Sequence, residues 1–486
     1  MEKIGDGAKK AEKEELEKMP KCIVLFRPHK GYKGEYGFDW IRLGNNTNEF
    51  NVLEKFFIKI NQIIEGNKTV PVDKTINNTK GNEYNTLSNL GKYYLTDNQG
   101  NRFVYPDING WSDDFEEDVQ MSIMLKSEYN FLGSKIYGSV LTILPNTKAK
   151  LQIHVYVENI ENMPADSKLI IYSENEDFFN IPKDGKEVNF IKGEWCSEEF
   201  ELECKKEFNA NQKIIAKIES KKNKVSLECG ILTVLANDEN HRRPISILLI
   251  PVKYSINKES ANPLRKHVLQ TTFIGKAPQN SMDKLDFILK QAYISTNIIE
   301  RDTPLNIPQN NSISYKNAFG LLYPEVAVLD VKLDDLDNWF NAQLSNDEQQ
   351  AYSDFYKIYF FDLPAYSVDD NNKKNGNILG FSNMGKSCVL FKKHEEDDTT
   401  IVHELLHCLL LSHTFVNKDC LGVMRNIWPN DPSLNQGTNF SKGLENAKYT
   451  YRALTTDNVM DYSHWKNINK ISLFYWQWKL INDELR

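Results

Sequence analysis

The sequence contains no apolar run of about 18 residues, the length that marks a membrane-spanning helix. It has no Cys-x-x-Cys pair. Its seven cysteines, Cys22, Cys196, Cys204, Cys229, Cys388, Cys408 and Cys420, are odd in number and irregularly spaced. That speaks against a cysteine-based zinc site and against a disulfide framework, and leaves buried free thiols as the expectation. Positive charge is not in excess: the net charge is −8 and the pI about 5.7, whereas nucleic-acid binders show a basic face. No internal repeat is visible. Residues Met1 to Lys21 (MEKIGDGAKKAEKEELEKMPK) lack the apolar centre of a cleaved secretory signal. The expected protein has no membrane span and no nucleic-acid partner. It is cytoplasmic before export, or leaves by a route that needs no cleaved signal.

What is present is enough apolar matter for several cores: 40% of 486 residues are hydrophobic and 11% aromatic. Residues 1–20 read as a polar leader. From Cys22, runs such as CIVLFRP, GFDWIRL, VQMSIML and SVLTILP predict a β-rich N-terminal domain over 21–147. Short β-branched runs then recur between turn signals: KLQIHVYVENI, SKLIIYSEN, EFELECKKEF, QKIIAKIES, KVSLECGILTVLA and PISILLIPVKYSI. Their spacing predicts an immunoglobulin-like sandwich over 148–258. Asn257 to Pro263 is the expected linker. Beyond it, helical and strand-like runs mix: MDKLDFILKQAYI, FYKIYFFDLPAYS, KSCVLFKK, TTIVHELLHCLLL and KISLFYWQWKLIND. The expectation for 263–486 is an α+β domain, so the fold class is multidomain, two β-rich domains followed by an α+β one.

Chemistry concentrates in TTIVHELLHCLLLSHTF, Thr399 to Phe415. Positions four apart share a helix face, so His403 and His407 can present imidazoles to one ion. Glu404 sits beside them, where a carboxylate can take a proton from a metal-activated water. The rest of the helix is apolar, and polar groups in such a setting need partners. On a continuing helix, His413 would lie about 9 Å beyond His407 and miss the ion. It joins only if the chain stops and turns back near Leu410 or Leu411. Leucine in a left-handed turn costs about 1 kcal/mol or somewhat more. Asp398 or Thr399 is expected to cap the helix.

With His403, Glu404, His407 and His413 in this spacing, and TTDNVMDYSHW (Thr455 to Trp465) downstream, residues 380–486 resemble the metzincins, zinc peptidases with a methionine turn. Residues 263–380 resemble them only in architecture, and 1–262 not at all. Leu410 stands where that family has glycine. The resemblance implies a zinc metallopeptidase with one zinc ion per chain on His403, His407 and His413. It implies Glu404 as proton acceptor, Met460 beneath the metal, and Tyr462 stabilising the oxyanion. The implied substrate is a protein or peptide. Residues 380–486 also resemble C-terminal domains of bacterial effectors, and CIVLFRPHKGYKGEYGFDWIRLG resembles proteins linked to type VI secretion. An exported effector or toxin, with a secretion apparatus or an immunity protein as partner, follows as an expectation.

Alternatives stand beside this reading. Glu445 or His464 can replace His413 as third ligand. The chain can instead be a non-catalytic binding or carrier protein with a degenerate zinc site, or a peptidase that never leaves the cell. Gly380 to Ser387 (GFSNMGKS) matches the phosphate-binding pattern, but the strand-like CVLF after it denies the helix that pattern needs. Cys408 is rotated by about 100° from His407 and reads as core. His29, His154, His241, His267 and His394 carry no motif. Trp476 and Trp478 read as packing for the last helix.

Overall fold

Runs of alternating apolar and polar residues pair into sheets along most of the chain. The computed structural model describes residues 22–39, 62–65, 68–71, 107–108, 128–131, 134–137, 139–157, 161, 163–181, 195–220, 225–258, 269–277, 279–307, 333–362, 365–368, 374–382, 385–392, 398–411, 413, 449–450, 457–462 and 469–485. The polar leader, VQMSIML, Cys420, Glu445, His267, His394, His464 and most of the segment between Thr414 and Asn458 lie outside these residues. The chain divides into two compact units, one of residues 1–105, 110–241 and 474–476, the other of 106–109, 242–473 and 477–486.

The first unit is all β among its described residues. Beside two two-stranded ribbons, its two larger sheets are built from β1 (Cys22–Pro28), β2 (Gly37–Asp39), β3 (Ser139–Thr142), β4 (Thr147–Val157), β5 (Lys168–Ser173), β6 (Phe179–Asn180), β7 (Trp195–Cys204), β8 (Gln212–Ser220) and β9 (Val225–Val234). One sheet has the order β1-β4-β7-β6 and the other β5-β8-β9-β3-β2. Alternation places Leu151, Ile153 and Val155 of β4 inside, with Ile214, Ala216 and Ile218 of β8. Here the expected boundary at 147/148 fails. β1 pairs with β4 and β3 with β9, so strands from both sides of that boundary share both sheets. A four-stranded and a five-stranded sheet is the established description.

The second unit has β10 (Arg243–Lys258), β11 (Leu269–Ile274), β12 (Ile294–Glu300), β13 (Leu305–Asn306), β14 (Tyr356–Phe360), β15 (Gly380–Ser382) and β16 (Ser387–Leu390) in one sheet of order β11-β10-β14-β16-β15. β12 and β13 also pair with β10. Among the described residues five helices accompany it: α1 (Gln279–Lys290), α2 (Leu333–Ala342), α3 (Asn346–Ala351), α4 (Thr400–Cys408) and α5 (Tyr475–Glu484). The expected boundary at 258/263 also moves. PISILLIPVKYSI is not the last sandwich strand but the central strand β10. The physical reason is legible in burial: Ile247, Leu248, Leu249 and Ile250 are consecutively buried. Such a run needs cover on both faces, unlike an alternating sandwich strand. Leu248, Ile250, Tyr359, Val389, Leu336 and Phe340 belong to one core cluster.

The order β10-β14-β16 is parallel, and β15 runs antiparallel at the edge. Helix α4 lies against β15 and β16. GFSNMGKS therefore begins and ends in antiparallel strands, with no helix after it, and the nucleotide-loop reading falls as expected. The last helix begins at Tyr475, five residues later than KISLFYWQWKLIND suggested, because Ile471 and Ser472 bond back to the Asp457 carbonyl. Among the described residues no helix is long and apolar enough to cross a membrane.

Candidate metal centre

Helix α4 carries its histidines into the interior: all nine of its residues are buried. It begins at Thr399, as expected, but the expected side-chain cap is missing. Thr399 makes no capping hydrogen bond, and Asp398 instead pairs with Lys284 at 2.8 Å.

The other end resolves the question of the third histidine. Leu410 has φ of 64°, the left-handed conformation. The Leu410 N–H bonds to the His407 carbonyl at 3.0 Å, and the Leu411 N–H reaches back to the Leu406 carbonyl at 2.9 Å. These two bonds are a Schellman cap, with leucine in the position glycine ordinarily takes. The helix thus ends within three residues of His407, and the chain doubles back. Leu410 itself points outward, 41% exposed, while Leu411 is buried.

His413 then meets the other two. Its Nε2 lies 3.2 Å from His403 Nε2 and 3.3 Å from His407 Nε2. His403 Nδ1 donates to the Val459 carbonyl at 2.9 Å, and His407 Nδ1 donates to the Leu411 carbonyl at 2.7 Å. A carbonyl only accepts, so both Nδ1 atoms carry the hydrogen and both Nε2 atoms carry lone pairs. A hydrogen on His413 Nε2 can satisfy one of these lone pairs and leaves the other facing it. One cation satisfies all three. Nitrogens about 2.0–2.1 Å from a tetrahedral zinc stand about 3.3–3.4 Å apart, close to the two spacings from His413, and the three ligand atoms all lie within 4.8 Å of one another. Among the described residues His403, His407 and His413 form the single cluster of metal-ligating side chains.

Burial favours the neutral, ligating form of His407 and His413. It lowers His407 to about 4, opposed by the bond to Leu411. It pushes His413 well below the ordinary imidazole value, helped by His407, His403 and the Lys470 ammonium. Glu404 is buried too, and desolvation raises it to about 8 against the pull of Lys470. A dication at the neighbouring imidazoles would draw it back down.

The methionine turn lies beside the cluster. Asp461 N–H bonds to the Asn458 carbonyl at 3.0 Å, closing Asn458–Asp461 into a tight turn. Met460 is fully buried within it. The Val459 carbonyl of this turn is the one that fixes His403. Tyr462 follows, with its ring centroid 4.8 Å from that of His413 and 5.7 Å from that of His403. The structure therefore brings His403, His407, His413 and Tyr462 together, with Met460 in the adjoining turn and Glu404 next to His403 on α4, and the alternative ligands Glu445 and His464 lie outside the described residues.

Three contributors escaped sequence reasoning. Asn458 accepts from the Met460 N–H at 2.9 Å, and its amide donates to Gln477 at 2.7 Å, which locks the turn to α5. The signal was present, since asparagine commonly bonds to the backbone two residues on. Gly380 lets β15 lie on Glu404: a Cβ there would stand 2.8 Å from Glu404 Cγ. Lys470 is 3% exposed and brings a cation to Glu404 and His413. Nothing local in the sequence marks either of these two. No family model matches the chain, and no curated protein matches it at a significant level.

Proposed function

We propose that this chain is a zinc-dependent endopeptidase of metzincin type, with His403, His407 and His413 as ligands. The observation that carries this reading is the convergence of three imidazoles whose ligand atoms lie within 4.8 Å of one another, with His403 and His407 pinned as Nε2 acceptors by backbone carbonyls. A zinc ion held there supplies a Lewis acid and an acidified water. Glu404, one residue from His403 and buried against β15, would accept a proton from that water and return it to the leaving amine. Tyr462 donates its hydroxyl to the developing oxyanion of the substrate carbonyl. Met460 and Asn458 hold the turn that orients His403. The substrate is a protein or peptide. Its setting is that of an exported bacterial effector or toxin, in which the β-unit serves delivery or target binding and a secretion apparatus or immunity protein is the partner.

The deciding experiment measures zinc per chain and peptide-library cleavage for wild type and Glu404→Gln. One zinc in both, with cleavage in wild type alone, is the expected result. Zinc in both with no cleavage by wild type refutes the enzyme and leaves a zinc-holding binding protein.

A further inference from the structure

Four of the cysteines are arranged as two facing pairs. In the second unit, β15 rests on one face of α4. Gly380 packs on Glu404, and two residues along, the Ser382 hydroxyl lies 3.2 Å from Cys408 Sγ. Glu404 and Cys408 are one helical turn apart and so share that face. Cys388 is the cross-strand partner of Ser382. Directly opposed residues of an antiparallel pair carry their side chains on the same side, about 4.5–5.5 Å apart at Cβ. Cys388 therefore projects to the same place, where the neighbouring Cys408 thiol and burial raise its own thiol well above the ordinary value. Both are buried.

The first unit repeats the arrangement. Cys22 is on β1 and Cys229 on β9, strands of different sheets. The register of β8 with β9 shifts at Ala216/Lys217, which leaves Cys229 as the extra residue of a bulge. Next to it, Gly230 sits so close to β1 that a Cβ would fall 2.5 Å from the Val24 carbonyl oxygen. Cys22 and Cys229 are 1% and 0% exposed, and burial, with Cys22 beside it, raises the Cys229 thiol well above the ordinary value.

We propose that Cys388 with Cys408, and Cys22 with Cys229, are dithiol sites that close to disulfides when the chain meets a small-molecule disulfide donor. In each exchange one thiolate attacks the donor, releasing one donor thiol and leaving a mixed disulfide. The second protein thiol displaces the other donor thiol. Two protein thiols are oxidised and one donor disulfide is reduced to two thiols. Cys388–Cys408 ties the end of the ligand-bearing helix to the sheet, and Cys22–Cys229 ties the two sheets of the β-unit together. The chain then gains two covalent ties on leaving a reducing compartment, without a change of fold. The inference is independent of zinc and of catalysis.

The test incubates the full native chain with oxidised glutathione a few degrees below its melting midpoint, where local opening exposes buried thiols. Iodoacetamide labelling and non-reduced peptide mapping follow. The expected result is a fall from seven alkylated cysteines to three, Cys196, Cys204 and Cys420, with linked peptides for both pairs and a raised melting temperature. In Cys388→Ser, Cys408 becomes alkylated while the Cys22–Cys229 link persists. Seven alkylated cysteines, stable glutathione adducts in place of links, or links to Cys196, Cys204 or Cys420 overturn the proposal.

Discussion

Each unit buries histidine, and the two do it differently. In the β-unit His154 stands on β4, 6% exposed, with its Nδ1 2.6 Å from the Ser197 hydroxyl of the neighbouring strand β7. Burial lowers it to about 3, with repulsion from Arg27 adding to the effect. In the other unit His407 is lowered to about 4 for the same first reason. By burial and basicity alone the two sites are alike. What separates them is where the Nε2 lone pairs point: three converge in one place in the second unit, whereas His154 is bonded to a hydroxyl within its sheet. A depressed imidazole reports desolvation; a metal site needs convergence as well.

The comparison breaks most decisively at His413. His413→Ala removes one ligand of three and should drop bound zinc from about one per chain to a small fraction of that, measured by elemental analysis. His154→Ala should leave zinc unchanged. Equal loss in both would erase the distinction drawn here. Glu404→Gln should retain zinc and reduce kcat/KM by roughly 10²–10⁴-fold, the span usual for a lost general base. Asn458→Ala should act at one remove. It frees the turn whose Val459 carbonyl orients His403, and zinc affinity should fall by roughly 10–100-fold in a competition titration.

The β-unit gives a smaller, pH-dependent signal. Unfolded, His154 takes its proton near pH 6.5; folded, only near 3. Between these values the unfolded state binds more protons, so stability falls as pH drops from about 6.5 toward 3. His154→Gln should flatten that part of the urea-denaturation profile, and a profile of unchanged slope would sink the assignment. The smallest change is expected at Leu410. Leu410→Gly relieves about 1 kcal/mol of left-handed strain but gives back a similar amount in unfolded-chain entropy. Its melting temperature and zinc content should stay close to wild type.

The centre was more legible than the frame around it. The i, i+4 spacing of His403 and His407 has one meaning on a helix. The distance to His413 demanded a chain reversal at Leu410 or Leu411, and the reversal is there, made by leucine at φ of 64°. The helix start was legible only in position. Thr399 is of the right type for a cap, yet its side chain bonds to no helical N–H, and the Asp398 carboxylate goes to Lys284. Among the strands, most runs of β-branched residues paired where expected, but which sheet each joined did not follow from its own pattern.

By itself the sequence determined the ligand types, their spacing, the reversal after the helix and the alternating strands, because these depend on contacts within a few residues and on helix or strand period. The tertiary structure alone decided that Val459 supplies the carbonyl that sets the His403 tautomer. It alone brought Lys470, Gly380 and Asn458 to the centre, sent β10 to the second unit, and set Cys388 on Cys408. Those outcomes join residues far apart in the chain. They depend on which sheet a strand enters and on what packs across it, and no local propensity carries that information.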